Sequence, residues 1–168
     1  LQMDVGILEK HNDLRDNSTV ENRLPDSSWQ IGAFSTQFKD SIPDTENTSA
    51  IYGNLTLAVP MTIGLGHRFW LSSIYGSESI INPLPLWIGT GWISQGLISS
   101  RPNDLLLLAM NWSQFSLNSI ENKEVVLESK YSASILDGVH IEPNIQYYAY
   151  SSSKKNPLFI GTSIEFGL

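Results

Sequence analysis

From Val139 to Ala149 the chain alternates without a break between two kinds of side chain. Val139, Ile141, Pro143, Ile145, Tyr147 and Ala149 are apolar or amphipathic, whereas His140, Glu142, Asn144, Gln146, Tyr148 and the following Tyr150 all carry hydrogen-bonding groups. Successive side chains of a strand point to opposite faces, so this segment has one oily wall and one polar wall. The same period recurs elsewhere. Ile51, Gly53, Leu55, Leu57 and Val59 oppose Tyr52, Asn54, Thr56 and Ala58. Ile63, Leu65, Phe69 and Leu71 oppose Gly64, Gly66, Arg68 and Trp70, with His67 interrupting the apolar row. Val125, Leu127, Tyr131, Ala133 and Ile135 oppose Glu124, Glu128, Lys130, Ser132 and Ser134, and Leu158, Ile160, Thr162, Ile164 and Phe166 oppose Phe159, Gly161, Ser163 and Glu165. Segments 29–38, 84–95 and 105–116 are noisier but strand-like, and Leu1 to Leu8 reads as the end of another strand. No 3.6-residue period persists beyond about two turns. The chain is predicted to be all-β.

The connections fall into two kinds. Val59-Pro60-Met61 and Leu136-Asp137-Gly138 read as tight turns, Asp-Gly being a strong hairpin marker. Lys39 to Ser49, Ser77 to Pro83, Leu117 to Asn122 and Ser151 to Asn156 are longer and polar. Short turns alternating with longer loops is the asymmetry of an outer-membrane barrel, whose short turns face the periplasm. Gly96 to Asp104 is long for a short-turn position, and the charged segment 9–27 is expected to be irregular or to hold a short helix on that side. Proline and aromatics on the apolar wall suit a lipid-facing surface, and strands of about 10–14 residues suit a tilted bilayer crossing. Aromatics near strand ends (Trp29, Tyr75, Trp87, Trp92, Phe115, Tyr131, Tyr147 and Phe166) would form interfacial girdles. The pattern therefore points to a single domain over 1–168, an antiparallel transmembrane β-barrel with about eight or nine strands here. A soluble all-β sheet is the competing reading.

Composition narrows the function. The 168 residues are 41% hydrophobic, and no window approaches the ~18 unbroken apolar residues of a spanning helix; the longest run is Leu105 to Met110. That leaves a barrel open. A net charge of −7 without a Lys/Arg cluster argues against nucleic acid. The absence of cysteine removes disulfides, thiolate metal sites and Cys nucleophiles. His11, His67 and His140 lie on separate segments without metal-ligand spacing, and no G-x-S-x-G, P-loop or H-E-x-x-H motif occurs. Glu124 and Glu128 would lie ~13 Å apart along a strand, wider than the ~5–9.5 Å of a glycosidase pair. No cofactor or metal is implied. The N-x-S/T sites at Asn17, Asn47, Asn54 and Asn111 would be chance matches if the host is bacterial.

One stretch, Pro85-Leu86-Trp87-Ile88-Gly89-Thr90-Gly91-Trp92 through Gly96-Leu97-Ile98-Ser99-Ser100-Arg101-Pro102-Asn103-Asp104, resembles the glycine-rich strand and G-L-I-x-x-R-P-x-D signature of carbohydrate-selective (OprB-type) porins. The Leu-rich strand Leu105 to Ser116 is similar to the one that follows there. Glu124 to Tyr131 resembles the family's E-x-x-x-E-x-x-Y strand, and Ile141 to Tyr147 its L-x-P-x-x-Q-Y strand. Phe159-Ile160-Gly161-Thr162 is similar to its final strand and Ile31-Gly32-Ala33-Phe34 to an earlier one. The resemblance spans about residues 28–168. It implies a Gram-negative outer-membrane porin of about sixteen strands that passes glucose-like monosaccharides, with this chain as its C-terminal half; Leu1, which opens without a basic leader, would then lie partway through the barrel. The chain departs from the family at Phe166-Gly167-Leu168, where such barrels end in Phe, and at the loop Ser151 to Pro157.

A sugar offers hydroxyls around apolar C–H faces, so its contacts pair charged or amide groups with rings. The polar walls supply Arg68 and Trp70 on one strand, Glu124, Glu128 and Lys130 on a second, and Glu142, Asn144, Gln146 and Tyr148 on a third. These are the expected pore-lining or sugar-binding residues, with Arg68, Glu128, Lys130, Asn144 and Gln146 as their centre; cross-paired wall charges that only solvate a channel are the alternative. Arg101 is expected to pin its turn through Asp104. The expected function is passive, sugar-preferring diffusion, with small sugars, lipid and the rest of a barrel as partners. Alternatives are a general or differently selective channel, or an outer-membrane enzyme or polysaccharide-export barrel.

Overall fold

A computed structural model describes residues 3–12, 24, 27–37, 47–77, 84–116, 122–150 and 155–166. They form nine strands and, among the described residues, no helix: β1 (Met3–Asn12), β2 (Ser27–Gln37), β3 (Asn47–Ala58), β4 (Gly66–Gly76), β5 (Leu86–Gln95), β6 (Leu105–Gln114), β7 (Lys123–Leu136), β8 (Val139–Tyr150) and β9 (Leu158–Phe166). All belong to one sheet in chain order, each antiparallel to its neighbour. Among the described residues β1 and β9 are the two edges, so the sheet is open. After eight reversals they run in the same direction.

Register turns alternation into two walls. Trp29, Leu55, Leu71, Thr90, Met110, Leu127, Tyr147 and Leu158 form one line across β2 to β9, each directly opposite the next. One residue along, on the other face, runs Gln30, Asn54, Ser72, Gly89, Asn111, Val126 and Tyr148. The apolar wall is uncovered: Ile31 is 58% exposed, Ile51 59%, Ile160 75% and Phe166 71%. Polarity is inverted relative to a packed domain. Among the described residues the buried hydrophobic side chains are Leu24 and Ala50, whereas His67, Arg68, Ser94, Gln95, Asp104 and Glu142 are all buried.

Four expectations change. Trp87 faces the polar wall, because it shares parity with Gly89 and pairs with Ile74 and Ser113, so it is no part of an interfacial girdle on the apolar side. The connection after β3 is not a tight turn at Val59-Pro60-Met61. It runs through 59–65, closed by the Val59 N–H on the His67 carbonyl (3.0 Å) and the Leu65 N–H on the Gln95 carbonyl (2.9 Å). His67 holds it from beneath: its Nε2 meets the Ile63 carbonyl and its ring stacks on Trp92 at 5.5 Å. Of the segment expected to be irregular over 9–27, Glu9, Lys10, His11 and Asn12 instead continue β1, opposite Gln30, Trp29, Ser28 and Ser27; residues 13–23 and 25–26 lie outside the described residues. Asn47, Thr48 and Ser49, expected in the loop from Lys39, start β3 opposite Gln37, Thr36 and Ser35. The loops expected at 39–46, 78–83, 117–121 and 151–154 lie outside the described residues. Asp137-Gly138 does form a two-residue turn, with Gly138 at φ 70°, a region a Cβ disfavours.

Candidate functional site

The β7–β8 hairpin aligns its polar residues because each pair sums to one register. Glu124 faces Tyr150, Glu128 faces Gln146, and Lys130 faces Asn144. Lys130 reaches diagonally to Glu142, Nζ to Oε2 at 2.5 Å, and Ser163 on β9 donates to the same oxygen at 3.4 Å. The Glu142 side chain is only 9% exposed, against 33% for Lys130. The two therefore satisfy each other, and removing one would strand a nearly buried charge. Farther from the turn, Tyr148 donates to the Gln146 amide oxygen at 3.0 Å and packs edge-on against Phe159 at 5.3 Å and stacked with Tyr150 at 6.3 Å. Glu124, Glu128, Asn144 and Gln146 remain half-exposed on this wall.

Arg68 does not join them. It lies on β4 in the same cross-sheet row as Lys130 and Asn144, but Ile93 and Leu107 occupy the intervening positions. Three strand spacings separate Arg68 from Lys130, roughly 14 Å. Arg68 is 9% exposed and donates to the His67 carbonyl at 2.9 Å. Of the set Arg68, Glu128, Lys130, Asn144 and Gln146, the structure brings together the four β7–β8 members and leaves Arg68 apart on the same wall. Trp70 does face the polar wall, where its indole covers Gly91 on β5: a Cβ there would sit 2.6 Å from Nε1.

Arg101 and Asp104 form a knot at the turn end. Arg101 forks onto the Asp104 carboxylate through Nε and a second nitrogen (3.2 Å), and also donates to the Ser134 carbonyl at 3.0 Å. Asp104, 4% exposed, further accepts the Tyr131 hydroxyl and the Ser134 N–H at 2.9 Å. Burial pushes the Asp104 carboxyl up, but these donors outweigh it and hold the group below its usual range.

Two features escaped the sequence pattern. Gln30, Asn54 and Ser72 are joined across three strands, Asn54 Nδ2 donating to Gln30 Oε1 at 3.1 Å and Ser72 Oγ to Asn54 Oδ1. Their signal was present, since each lies on a polar wall; what was missing was the register that lines them up. Separately, a depression of about 680 Å³ at the opposite end of the sheet is lined by Phe34, Ile51, Tyr75, Leu86 and Gln114, none of them an expected site residue. Among the described residues no group of three His, Asp or Glu is placed to hold a metal. No protein-family model, curated protein or solved structure matches the chain.

Proposed function

We propose that this chain forms part of the wall of a bacterial outer-membrane β-barrel, with its apolar face against lipid and its polar face lining a passage that favours small sugars. The carrying observation is the inverted polarity: large aliphatic and aromatic side chains are exposed along one whole face while arginine, glutamate, aspartate and glutamine are buried. An apolar surface of this extent demands a covering, and lipid covers a whole sheet face at once. The ordered resemblance of residues 28–168 to carbohydrate-selective porins supports the same reading. The open edges fit a larger barrel. Because β1 and β9 run the same way, an all-antiparallel closure needs an odd number of further strands; seven would make about sixteen.

Liposome swelling tests the passage. Glucose is expected to enter faster than a disaccharide, and faster than a neutral amino acid of comparable size; equal rates for similar-sized solutes would remove the sugar preference and leave a general channel. The charged hairpin sets a separate expectation. On the polar face of β7–β9, Glu124, Glu128, Glu142 and Glu165 outnumber Lys130, so the passage should favour cations. Glu128→Gln should move the reversal potential in a salt gradient toward zero without altering assembly. An unmoved potential would take Glu128 out of the conducting path.

A further inference from the structure

The polar face is electrically divided. On β2 to β6 its one charged side chain among the described residues is Arg68, buried at 9% exposure, whereas Glu124, Glu128, Lys130, Glu142 and Glu165 lie on β7 to β9. The hydrogen-bonded row Gln30, Asn54 and Ser72 crosses the strands β2 to β4 of this uncharged stretch, with Glu9 of β1 in register beside Gln30 at its outer end. It continues through Gly89 to Asn111, whose Oδ1 would lie 2.6 Å from a Cβ on Gly89. Rings flank the row on both sides. Two residues away in one direction lie Tyr52 and Trp87; two residues away in the other lies Trp70. Each ring is folded down onto a glycine of the same wall. A Cβ on Gly32 would meet the Tyr52 ring at 2.4 Å, one on Gly89 the Trp87 ring at 2.6 Å, and one on Gly91 the Trp70 indole at 2.6 Å. Three rings laid against the wall by three glycines make a built arrangement rather than scattered aromatics.

We infer that this neutral wall, and not the charged hairpin, is where a sugar is recognised: a pyranose stacks on Tyr52, Trp87 or Trp70 and exchanges hydroxyl hydrogen bonds with Asn54, Ser72 and Asn111. The inference rests on the sugar-passage reading for the identity of the ligand. Its chemistry follows from the residues. A neutral sugar gains nothing from a net charge, and charged walls hold their water tightly. Amides both donate and accept, as hydroxyls require. Two strand residues span about 6.6 Å, so a ligand stacked on one ring reaches the amide row. Asn54 is exposed to that side and has a second amide hydrogen to offer.

The test is a titration of the folded chain in micelles, read by tryptophan emission. Of the five tryptophans, Trp29, Trp92 and Trp112 share the apolar face, so a brominated detergent silences them and leaves Trp70 and Trp87 as reporters. Glucose should change the residual emission with a saturable midpoint. Sorbitol, with the same hydroxyl chemistry but no pyranose face, should not. Tyr52→Ala and Asn54→Ser should each raise the glucose midpoint by about five-fold, the loss of one stacking or hydrogen-bonding contact. Glu128→Gln should leave it within about two-fold. Equal responses to glucose and sorbitol, or a Glu128→Gln effect as large as that of Asn54→Ser, overturns the assignment. Retained far-ultraviolet β-sheet signal shows that each variant has folded. A glucose titration that survives without liposome swelling overturns the passage and spares the site. Swelling that discriminates sugars without any such titration does the reverse.

Discussion

Asp104→Ala is expected to destabilise the folded chain by about 2–4 kcal/mol, measured as a shift of the denaturant midpoint at constant slope. The carboxylate is 4% exposed and receives Arg101, the Tyr131 hydroxyl and the Ser134 N–H. Alanine leaves three donors facing a gap, and each unsatisfied partner costs more than its bond contributed. The knot also ties β7 to the 96–104 turn, because Arg101 bridges Asp104 to the Ser134 carbonyl. Arg101→Ala should cost less, since that side chain is 39% exposed and water replaces it. Tyr131→Phe should cost about 1 kcal/mol, one hydrogen bond with its ring packing kept. The same site fixes an acid limb. The folded Asp104 carboxyl titrates below its ordinary value near ~3.9. The ionised form is therefore the one folding favours; its contribution is complete above about pH 5 and fades as pH falls through the unfolded and then the lower folded value. Asp104→Ala should flatten that part of the stability–pH curve. A variant with the parent midpoint and the parent acid limb would show that the knot holds nothing.

Periodicity alone located most of this architecture, and the places where it fell short share a cause. Alternation over Val139 to Ala149 or Ile51 to Leu57 survives any choice of partner, because a strand with one oily face can be read from its own residues. Relations between strands cannot be read that way. Arg68 and Lys130 both sit on polar parity, but only register shows Ile93 and Leu107 between them. Trp87 looked like a girdle residue by its place near a strand end; the two glycines that follow at matching parity, Gly89 and Gly91, tell which way it faces once Trp70 is known to lie opposite Gly91. Gly32 opposite Tyr52 and Gly161 opposite Asn144 repeat the pattern, a glycine giving room to a large neighbour on the polar side. Val59-Pro60-Met61 carried turn chemistry, yet the closing bonds lie farther on, at His67 and Gln95. Pro60 has no N–H to extend the β3 ladder, which ends at Ala58.

Leu71→Arg separates a lipid-facing wall from a water-facing one by magnitude. Leu71 is at the centre of β4, 40% exposed, with Leu55 and Thr90 as its direct cross-strand neighbours. On a sheet whose apolar face met water, replacing a partly exposed leucine by arginine would change stability by no more than about 0.5 kcal/mol. Against the hydrocarbon midplane the same change costs about 2–4 kcal/mol, because the guanidinium must be dragged out of water or must pull water in. Ser72→Arg, one residue away on the polar face, is the internal control. It places the same charge at the same depth where solvent can reach it, and it should cost less than about 1 kcal/mol. The expected outcome is a large difference between the two variants when the chain folds into bilayers, and a smaller one in a detergent that lets arginine reach the micelle surface. Equal, small effects in both settings would mean that water meets both faces, and the apolar wall would then need a protein partner to cover it.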